Sequence, residues 1–401
     1  MRSEGDMTMI KRAFLAAAMC LLVAVAAGAD VPRPAVVGHG QELVVIPDLS
    51  SAGSVDGERI WSRVVTIDGA TFLKPHFVGL DLREGDQLVV RSRTGHVVEV
   101  LEGRGPKDQG TFWGLSAFGD ELHLELRFAA DYAFPPFEID EVIVGDVNPF
   151  GGPESVCGAW DFEDVICYQS DPGKWANVMA SVGVMSVGSN PTTGLWCSGS
   201  NVSSSNAILT NDHCVGTNCI GAEFVFKYYN QVCAGGFNPA GDWQSFRGDQ
   251  VLARSPIGSC TATPSTLDFT LCSVQGDPAS TYGWVTPDPN PVTNGEGVYI
   301  VQHPDGRPHE ITHGGGADVF VSGVNLYYDE TLDTQGGSSG SPVFRESDDK
   351  LIGLHHCGGC PNSGMMMSAI YPLIEPFLDT GGLFGDDFEN GNTGAWSLTI
   401  P

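Results

Sequence analysis

The segment 334–342, which reads Thr-Gln-Gly-Gly-Ser-Ser-Gly-Ser-Pro, has the composition of a loop that could present a nucleophile. A nucleophilic serine needs an exposed hydroxyl on a tight turn, with backbone N–H groups directed at the place where negative charge develops on the substrate. Gly337 and Gly340 would permit such a turn around Ser339, because glycine tolerates backbone angles that other residues avoid. By itself the string also fits a flexible Gly/Ser loop, so the chemistry depends on partners elsewhere in the chain.

Two upstream segments supply those partners. A strand-like run at 206–210 leads to His213, and in 266–271 apolar and polar residues alternate, which turns Asp268 away from the buried face. An imidazole with a pKa near neutrality can take a proton from serine and return it to a leaving group, and a carboxylate can orient that imidazole. The order His213, Asp268, Ser339 therefore indicates hydrolysis through a covalent acyl-serine intermediate.

The composition is that of a folded, turn-rich chain. The 401 residues suggest two or three domains, and 42% hydrophobic residues with 52 Gly and 25 Pro favour an all-β architecture over a disordered or coiled-coil chain. Only 20 Lys and Arg stand against 49 Asp and Glu, a formal charge of −29. This charge opposes attraction to nucleic acid and to anionic lipid, so neither is expected as a partner.

The N-terminus resembles an export signal. Lys11 and Arg12 precede an apolar run at 13–26 that is too short for an ordinary membrane span, and Ala27-Gly28-Ala29 forms the small-residue pattern of a cleavage site. We predict a signal peptide over 1–29. The mature protein is expected to be secreted, extracellular or periplasmic, without contact with the membrane, and monomeric.

The cysteines divide the chain into two parts. Of the eleven, Cys20 lies in the predicted signal and the other ten all lie in 156–378. An even number of cysteines in an exported protein predicts disulfide bonds. The Gly- and Pro-rich segment 148–153 falls at the same boundary, so we predict separate domains over 30–155 and 156–378.

Both predicted domains show the short alternating runs and frequent turns of β-structure. Segment 30–155 has this pattern without any cluster that could do chemistry, which indicates a small β-sandwich that serves as a pro-segment or accessory domain. In 156–378 a Pro-rich break at 286–291 separates halves of the size of two small β-barrels. The remaining residues, 379–401, form an acidic tail too short to fold alone.

Five short motifs within 156–378 follow the order of a known peptidase family. They are 209–214 (Leu-Thr-Asn-Asp-His-Cys), 268–271 (Asp-Phe-Thr-Leu), 303–306 (His-Pro-Asp-Gly), 337–342 and 353–356 (Gly-Leu-His-His). The region resembles the chymotrypsin-like serine endopeptidases, and among them the secreted bacterial lysyl endopeptidases. The resemblance implies an all-β, chymotrypsin-like double β-barrel, here preceded by the small β-sandwich.

The resemblance also implies catalytic roles. His213 would act as general base and then as general acid, Asp268 would orient it, and Ser339 would attack the scissile carbonyl. The backbone N–H groups of Gly337 and Ser339 would form the oxyanion hole. The expected partners are protein or peptide substrates, and no cofactor is expected.

Disulfide pairings follow from the same resemblance. The implied pairs are Cys197–Cys214, Cys167–Cys233, Cys157 with either Cys357 or Cys360, and a local bridge Cys260–Cys272 around the Asp268 strand. Cys219 is left without an assigned partner.

Substrate specificity gives two readings. Asp333 lies six residues before Ser339, where trypsin-like enzymes carry the carboxylate that binds Lys or Arg, and this predicts cleavage after basic residues. Thr334 and His355 stand where glutamyl endopeptidases bind a Glu side chain, which makes a glutamyl-specific enzyme the alternative. The stretch 362–367 lacks the specificity carboxylate of the lysyl endopeptidases.

Other functions fit parts of the sequence. The close spacing of His355, His356, Cys357 and Cys360 is compatible with zinc, but an oxidising compartment favours disulfides, and no metal is predicted. The same catalytic residues could serve an esterase, and the scaffold could belong to an inactive binding protein.

Activation by an N-terminal ion pair is not expected. Animal trypsins carry an aspartate immediately before the nucleophile for this purpose, whereas this chain has Ser338. We hypothesise that the protein is a zymogen whose segment 30–155 is removed or assists folding, with a cut near 147–155.

Overall fold

The computed structural model describes residues 32–55, 57–146, 156–239, 243–314, 316, 318–329 and 331–378. The predicted signal peptide 1–29, the predicted cut region 147–155 and the acidic tail 379–401 lie outside the described residues. Within them, no helix is long and apolar enough to cross a membrane.

The N-terminal region is a two-layer β-structure. Its strands are β1 (Ala35–Val45), β2 (Gly53–Val55), β3 (Glu58–Thr66), β4 (Phe72–Val78), β5 (Gln87–Ser92), β6 (Val97–Leu101), β7 (Phe112–Trp113), β8 (Ala117–Phe118), β9 (Glu121–Phe128) and β10 (Glu138–Gly145). One sheet has the order β2-β3-β9-β5-β6 and packs against the layer β1-β10-β4-β7. In β9 every second residue, from Leu122 to Phe128, is buried between the layers, as strand alternation requires.

The next six long strands close into a barrel. After the short β11 (Glu163–Asp164) and helix α1 (Pro172–Ala180) come β12 (Ser181–Gly188), β13 (Thr193–Asn201), β14 (Ala207–Thr210), β15 (Glu223–Phe226), β16 (Gln244–Ser255) and β17 (Phe269–Val274). Their order is β12-β15-β16-β17-β14-β13, and β13 pairs back onto β12, which removes both edges. The single-turn helix α2 (Asp212–Val215) follows β14, and α3 (Ala279–Tyr282) follows β17.

The last strands form a half-barrel. They are β18 (Val298–Gln302), β19 (Glu310–His313), β20 (Val319–Ser322), β21 (Asn325–Tyr328), β22 (Pro342–Arg345), β23 (Leu351–Cys357) and β24 (Ser363–Met366), followed by helix α4 (Met367–Ile374). The sheet order is β11-β19-β18-β22-β23-β24-β21-β20, and one apolar cluster joins residues of this sheet to residues of the first barrel. The predicted all-β, double-barrel fold is confirmed.

Five disulfides lie in the described residues. They are Cys157–Cys360, Cys167–Cys233, Cys197–Cys214, Cys219–Cys272 and Cys260–Cys357. The first three agree with the pairings that the resemblance implies.

The expected local bridge between Cys260 and Cys272 is wrong. Cys272 lies in β17 with its side chain in the core of the first barrel, where it meets Cys219 at a Cα–Cα distance of 5.7 Å. Cys260 lies in the loop before the Asp268 strand and reaches Cys357 at the end of β23, 5.6 Å away. Strand orientation decides the pairing here, and closeness in sequence does not.

The sheet of the first barrel continues into the N-terminal region. β1 pairs antiparallel with β13, with Ala35 opposite Trp196 and His39 opposite Thr193. The hydrogen bonds between β1 and β13 thus join residues on both sides of the predicted domain boundary near residue 156. The boundary therefore stays a prediction.

Candidate active site

His213 and Asp268 form a tightly hydrogen-bonded pair. β14 ends at Thr210, and the turn of α2 then brings the ring of His213 to Asp268, with Nδ1 2.8 Å from Oδ2. The backbone N–H of His213 also donates to Oδ1 at 3.1 Å. The carboxylate thereby fixes the orientation of the ring and the proton on Nδ1, which leaves Nε2 for the reacting groups.

The loop before β17 holds Asp268 in place. Its backbone carbonyl accepts a hydrogen bond from Asn211 Nδ2 at 2.8 Å, and its side chain is buried. Burial alone would raise the pKa of Asp268, but the charge of His213 and its hydrogen bond outweigh burial and lower the pKa to about 2. Asp268 is therefore ionised at neutral pH.

His356 is a second partner of Asp268 that sequence reasoning did not assign to this site. Its Nδ1 lies 3.4 Å from Oδ2 of Asp268, and its side chain is buried. His355 and His356 are neighbours in β23, so their side chains point to opposite faces of the strand. This alternation is the one signal in the sequence that could have shown that the two histidines belong to different sites.

Ser339 sits on a tight turn. The N–H of Ser338 donates to the Gln335 carbonyl at 3.0 Å, and the Ser338 hydroxyl accepts from the Gln335 N–H at 3.1 Å. Gly337 and Gly340 have positive φ angles of 90° and 85°. A side chain at Gly337 would also collide with the carbonyl of His303, at 2.6 Å from its Cβ, so glycine is required there.

The turn lies between the two barrels. Ser198 of β13 donates its N–H to the carbonyl of Ser339 at 2.8 Å, while the N–H of Gly340 donates to the carbonyl of His355 in β23 at 2.9 Å. His213 comes from the first barrel and Ser339 from the second, as the sequence order requires. In the described part of the chain, His213 Nε2 has no hydrogen-bond partner. Hydrogen bonds to a nucleophile commonly tighten only when substrate binds.

The geometry of the Gly336–Gly337 peptide suits an oxyanion hole. The Gly336 carbonyl accepts from the Asp305 N–H at 2.5 Å, and in a trans peptide the next N–H, that of Gly337, points the opposite way. Among the residues that the structure describes, the N–H groups of Gly337 and Ser339 donate to no acceptor. Two free donors beside one hydroxyl are what a tetrahedral intermediate needs.

Asp333 is engaged by the backbone of a distant segment. Its side chain is buried and accepts hydrogen bonds from the N–H of Cys157 at 2.8 Å and of Asp161 at 3.1 Å. Burial raises the pKa of Asp333, and the two N–H groups oppose that rise. These contacts disagree with the predicted role of Asp333 as the group that binds a Lys or Arg side chain.

Three other polar groups nearby are buried without a partner. Within the described residues, Thr334 Oγ1, His355 Nδ1 and the hydroxyl of Tyr328 make no hydrogen bond, and the rings of Tyr328 and His355 are 5.9 Å apart. Leaving such groups unpaired costs about 1–3 kcal/mol each. Sequence reasoning named Thr334 and His355 as alternative pocket residues but missed Tyr328, which carries no recognisable motif.

His355 is neutral at neutral pH. Burial, together with the neighbouring His356 and His213, lowers its pKa to about 3, although a hydrogen bond to the Ser363 backbone opposes this. Since Nδ1 makes no hydrogen bond among the described residues, it can take up a further proton when an anion binds beside it.

The cysteines of the alternative zinc motif are committed elsewhere. Cys357 is bonded to Cys260 and Cys360 to Cys157, so neither offers a thiolate to a metal. Cys197, His213 and Cys214 also lie close together, but the two cysteines are bonded to each other.

Comparison with known proteins agrees with this geometry. Residues 197–354 match the trypsin-like peptidase domain, a range that includes His213, Asp268 and Ser339. The trypsin-like match and the barrel topology support a serine-type peptidase, whereas the narrower resemblance to lysyl endopeptidases stays a prediction.

One relative matches most of the chain, and solved proteases match part of it. The secreted RxLR effector protein 73 of Plasmopara viticola is 28% identical over 329 residues, which cover 75% of this chain and 78% of that protein. A Glu endopeptidase in complex with MPD is 20% identical and aligns with 55% of this chain and 98% of its own, with a TM-score of 0.41. The protease Anisep from Arthrobacter nicotinovorans is 15% identical and aligns with 54% and 98%, with a TM-score of 0.39.

Proposed function

We propose that this protein is a secreted serine endopeptidase that hydrolyses peptide bonds after glutamate. The observation that carries the proposal is the arrangement of the His213–Asp268 pair and the Ser339 turn, with two free N–H donors, together with the buried polar groups of Thr334, His355 and Tyr328 that make no hydrogen bond among the described residues.

The reaction proceeds in two steps. The Ser339 hydroxyl attacks the scissile carbonyl while His213 Nε2 takes its proton, and the oxyanion is held by the N–H groups of Gly337 and Ser339. The C–N bond then breaks as His213 returns the proton to the leaving amine. In the second step His213 removes a proton from water as the water attacks the acyl-enzyme; the ester C–O bond then breaks as His213 returns this proton to Ser339 Oγ, and the acid is released. Asp268 stays ionised throughout and stabilises the imidazolium.

The pocket chemistry favours an acidic side chain. Asp333 uses its carboxylate on backbone donors, whereas Thr334 and Tyr328 can each donate a hydroxyl proton and His355 can donate from Nδ1 once protonated. A glutamate carboxylate would satisfy all three groups, and its charge would favour protonation of His355. A lysine side chain offers donors only and would leave the hydroxyl protons and a protonated His355 without an acceptor.

Secretion is supported by two observations. Five disulfides are typical of proteins that fold in an oxidising compartment, and the relative that matches most of the chain is named as a secreted protein. The predicted signal peptide agrees with this location.

The deciding experiment is to incubate the secreted protein and a Ser339→Ala control with a complex peptide mixture and to identify every cut by mass spectrometry. Cuts after Glu that vanish in the control support the proposal. Cuts after Lys or Arg would instead support Asp333 as the residue that binds the substrate side chain. No Ser339-dependent cut would reject a peptidase, and a simple ester substrate would then separate an esterase from an inactive binding protein.

A further inference from the structure

The N-terminal region is anchored to the first barrel by a buried ion pair. Lys74 Nζ of β4 lies 2.7 Å from Glu223 Oε2 of β15, and the two side chains are 1% and 0% exposed. Glu223 also accepts hydrogen bonds from the N–H and the hydroxyl of Ser116. Removal of the N-terminal region would deprive a buried carboxylate of all these partners, so the structure favours a region that stays attached.

The same junction encloses an apolar cleft of about 450 Å³. Its walls come from both sides: Val36, Phe72 and Phe118 from the N-terminal region, and Trp196, Tyr228 and Trp243 from the barrel. The rings of Phe118 and Trp243 are 4.8 Å apart in an edge-to-face arrangement. Arg307 also borders the cleft, but it is paired with Glu310 at 2.7 Å, so the lining offers mainly apolar surface.

The cleft begins beside the oxyanion loop. Asp305 and Gly306 line it, and Asp305 donates its N–H to Gly336. A Cβ placed on Gly336 would lie 3.6 Å from Cβ of Ala35, so the first residues of β1 touch this loop.

The Ser339 turn contacts both barrels. Gly340, next to Ser339, donates its N–H to His355 of β23, whereas Ser198 of β13, from the other barrel, donates its N–H to the carbonyl of Ser339. If the side chain before the scissile bond enters the pocket, the residues after the scissile bond leave on the β13 side, where the cleft is. This step rests on the proposed function.

The backbone edge of β13 is not available to a substrate strand near the cleft. Residues 193–196 pair with β12 on one side and with β1 on the other. A substrate therefore cannot add itself to the sheet there by main-chain hydrogen bonds, and recognition must come from side chains that enter the cleft.

We propose that the N-terminal β-region is retained in the active enzyme and lines the substrate site. The cleft then binds an aromatic or large aliphatic side chain of the substrate, about two to four residues after the scissile bond. The N-terminal region is thereby a specificity element of the enzyme.

The test uses peptides that are identical up to and including the scissile Glu and carry either Phe or Ser at one of the following positions. For the full chain, kcat/KM is expected to be about tenfold higher with Phe at the preferred position, as for burial of an aromatic ring. Val36 is 65% exposed and lines the cleft, so Val36→Arg should abolish this preference. Val44, on the same strand, is 69% exposed and does not line the cleft, so Val44→Arg is the matched control and should retain it.

A peptide with a Glu p-nitroanilide end has no residues after the cleaved bond and reports on the catalytic site alone. Both variants should cleave it as fast as the wild type. Equal rates with Phe and Ser at every position, while the nitroanilide is cleaved, would overturn the cleft proposal and leave the proposed function intact. Failure of Ser339-dependent cleavage of the nitroanilide would overturn both. An active species that lacks residues 35–145, as detected by intact mass, would also contradict the proposal that the N-terminal region stays part of the substrate site.

Discussion

Asp333 is hydrogen-bonded to the backbone of Cys157, which lies 176 residues away in the chain. The bond ties the segment before the Ser339 turn to the first residues of the double barrel, next to the Cys157–Cys360 disulfide. A carboxylate bound in this way holds two distant segments of the chain together.

Replacement of Asp333 by Ala should therefore lower stability and leave specificity unchanged. The loss of two buried acceptors is expected to reduce the free energy of unfolding by about 1–3 kcal/mol, because the N–H groups of Cys157 and Asp161 lose their partner. Denaturant unfolding and a cleavage-site profile would measure both effects. A selective loss of cuts after Lys or Arg in a stable variant would contradict this account.

Replacement of Ser339 should remove the chemistry and preserve the fold. Ser339→Ala is expected to lower kcat by about 10⁴-fold or more, since the Ser338 hydroxyl on the same turn is engaged by the N–H of Gln335 and does not replace the nucleophile. Ser341→Ala is the matched control, because Ser341 is a buried serine two residues away. If Ser341→Ala were inactive and Ser339→Ala active, with both folded by circular dichroism, the assignment of the nucleophile would be wrong.

Thr334 should act through its hydroxyl. Thr334→Val keeps the shape of the side chain but removes the donor, so kcat/KM for a Glu substrate should fall by about 10–100-fold while that for the matching Gln substrate changes little. Thr334→Ser restores the hydroxyl and should recover most of the activity. A parallel loss on Glu and Gln substrates would assign Thr334 a structural role instead.

The all-β fold could be predicted from the sequence because it rests on local patterns and on short motifs that resemble a known family. Alternation in β9 and in the Asp268 strand marks buried faces, and glycines mark the Ser339 turn. The partners of Asp333 and Cys272 could not be predicted, since each depends on a segment far away in sequence that only the folded chain brings near. Tyr328 was missed for the same reason.

The activity on Glu substrates should weaken as pH rises. Burial lowers the pKa of His355 to about 3, and a bound carboxylate at Nδ1 raises it. Substrate binding therefore takes up a proton between these two pKa values, so the affinity falls by at most about tenfold per pH unit from the lower pKa up to the raised pKa of the complex, and levels off above it. The ratio of kcat/KM for Glu and Gln substrates, from about pH 5 to about pH 9, isolates this effect because the titration of the catalytic groups cancels. A ratio that is independent of pH in the wild type, or that falls equally in His355→Gln, would contradict it.

Lys74 should contribute more to stability than an exposed lysine that joins the same two parts of the chain. Lys74→Met leaves the carboxylate of Glu223 buried without its cation and is expected to cost about 3–5 kcal/mol. Lys107 also bridges the N-terminal region to the barrel, 2.6 Å from Asp249, but it is 47% exposed, so Lys107→Met should cost less than about 1 kcal/mol.

Denaturant midpoints of both variants would measure the difference, and the double variant Lys74→Met with Glu223→Gln separates the charge from the packing. If the unpaired carboxylate is the main cost, the double variant should regain part of the loss, because a neutral amide is less costly to bury than a carboxylate. Equal and small effects of Lys74→Met and Lys107→Met would show that the ion pair does not hold the N-terminal region in place.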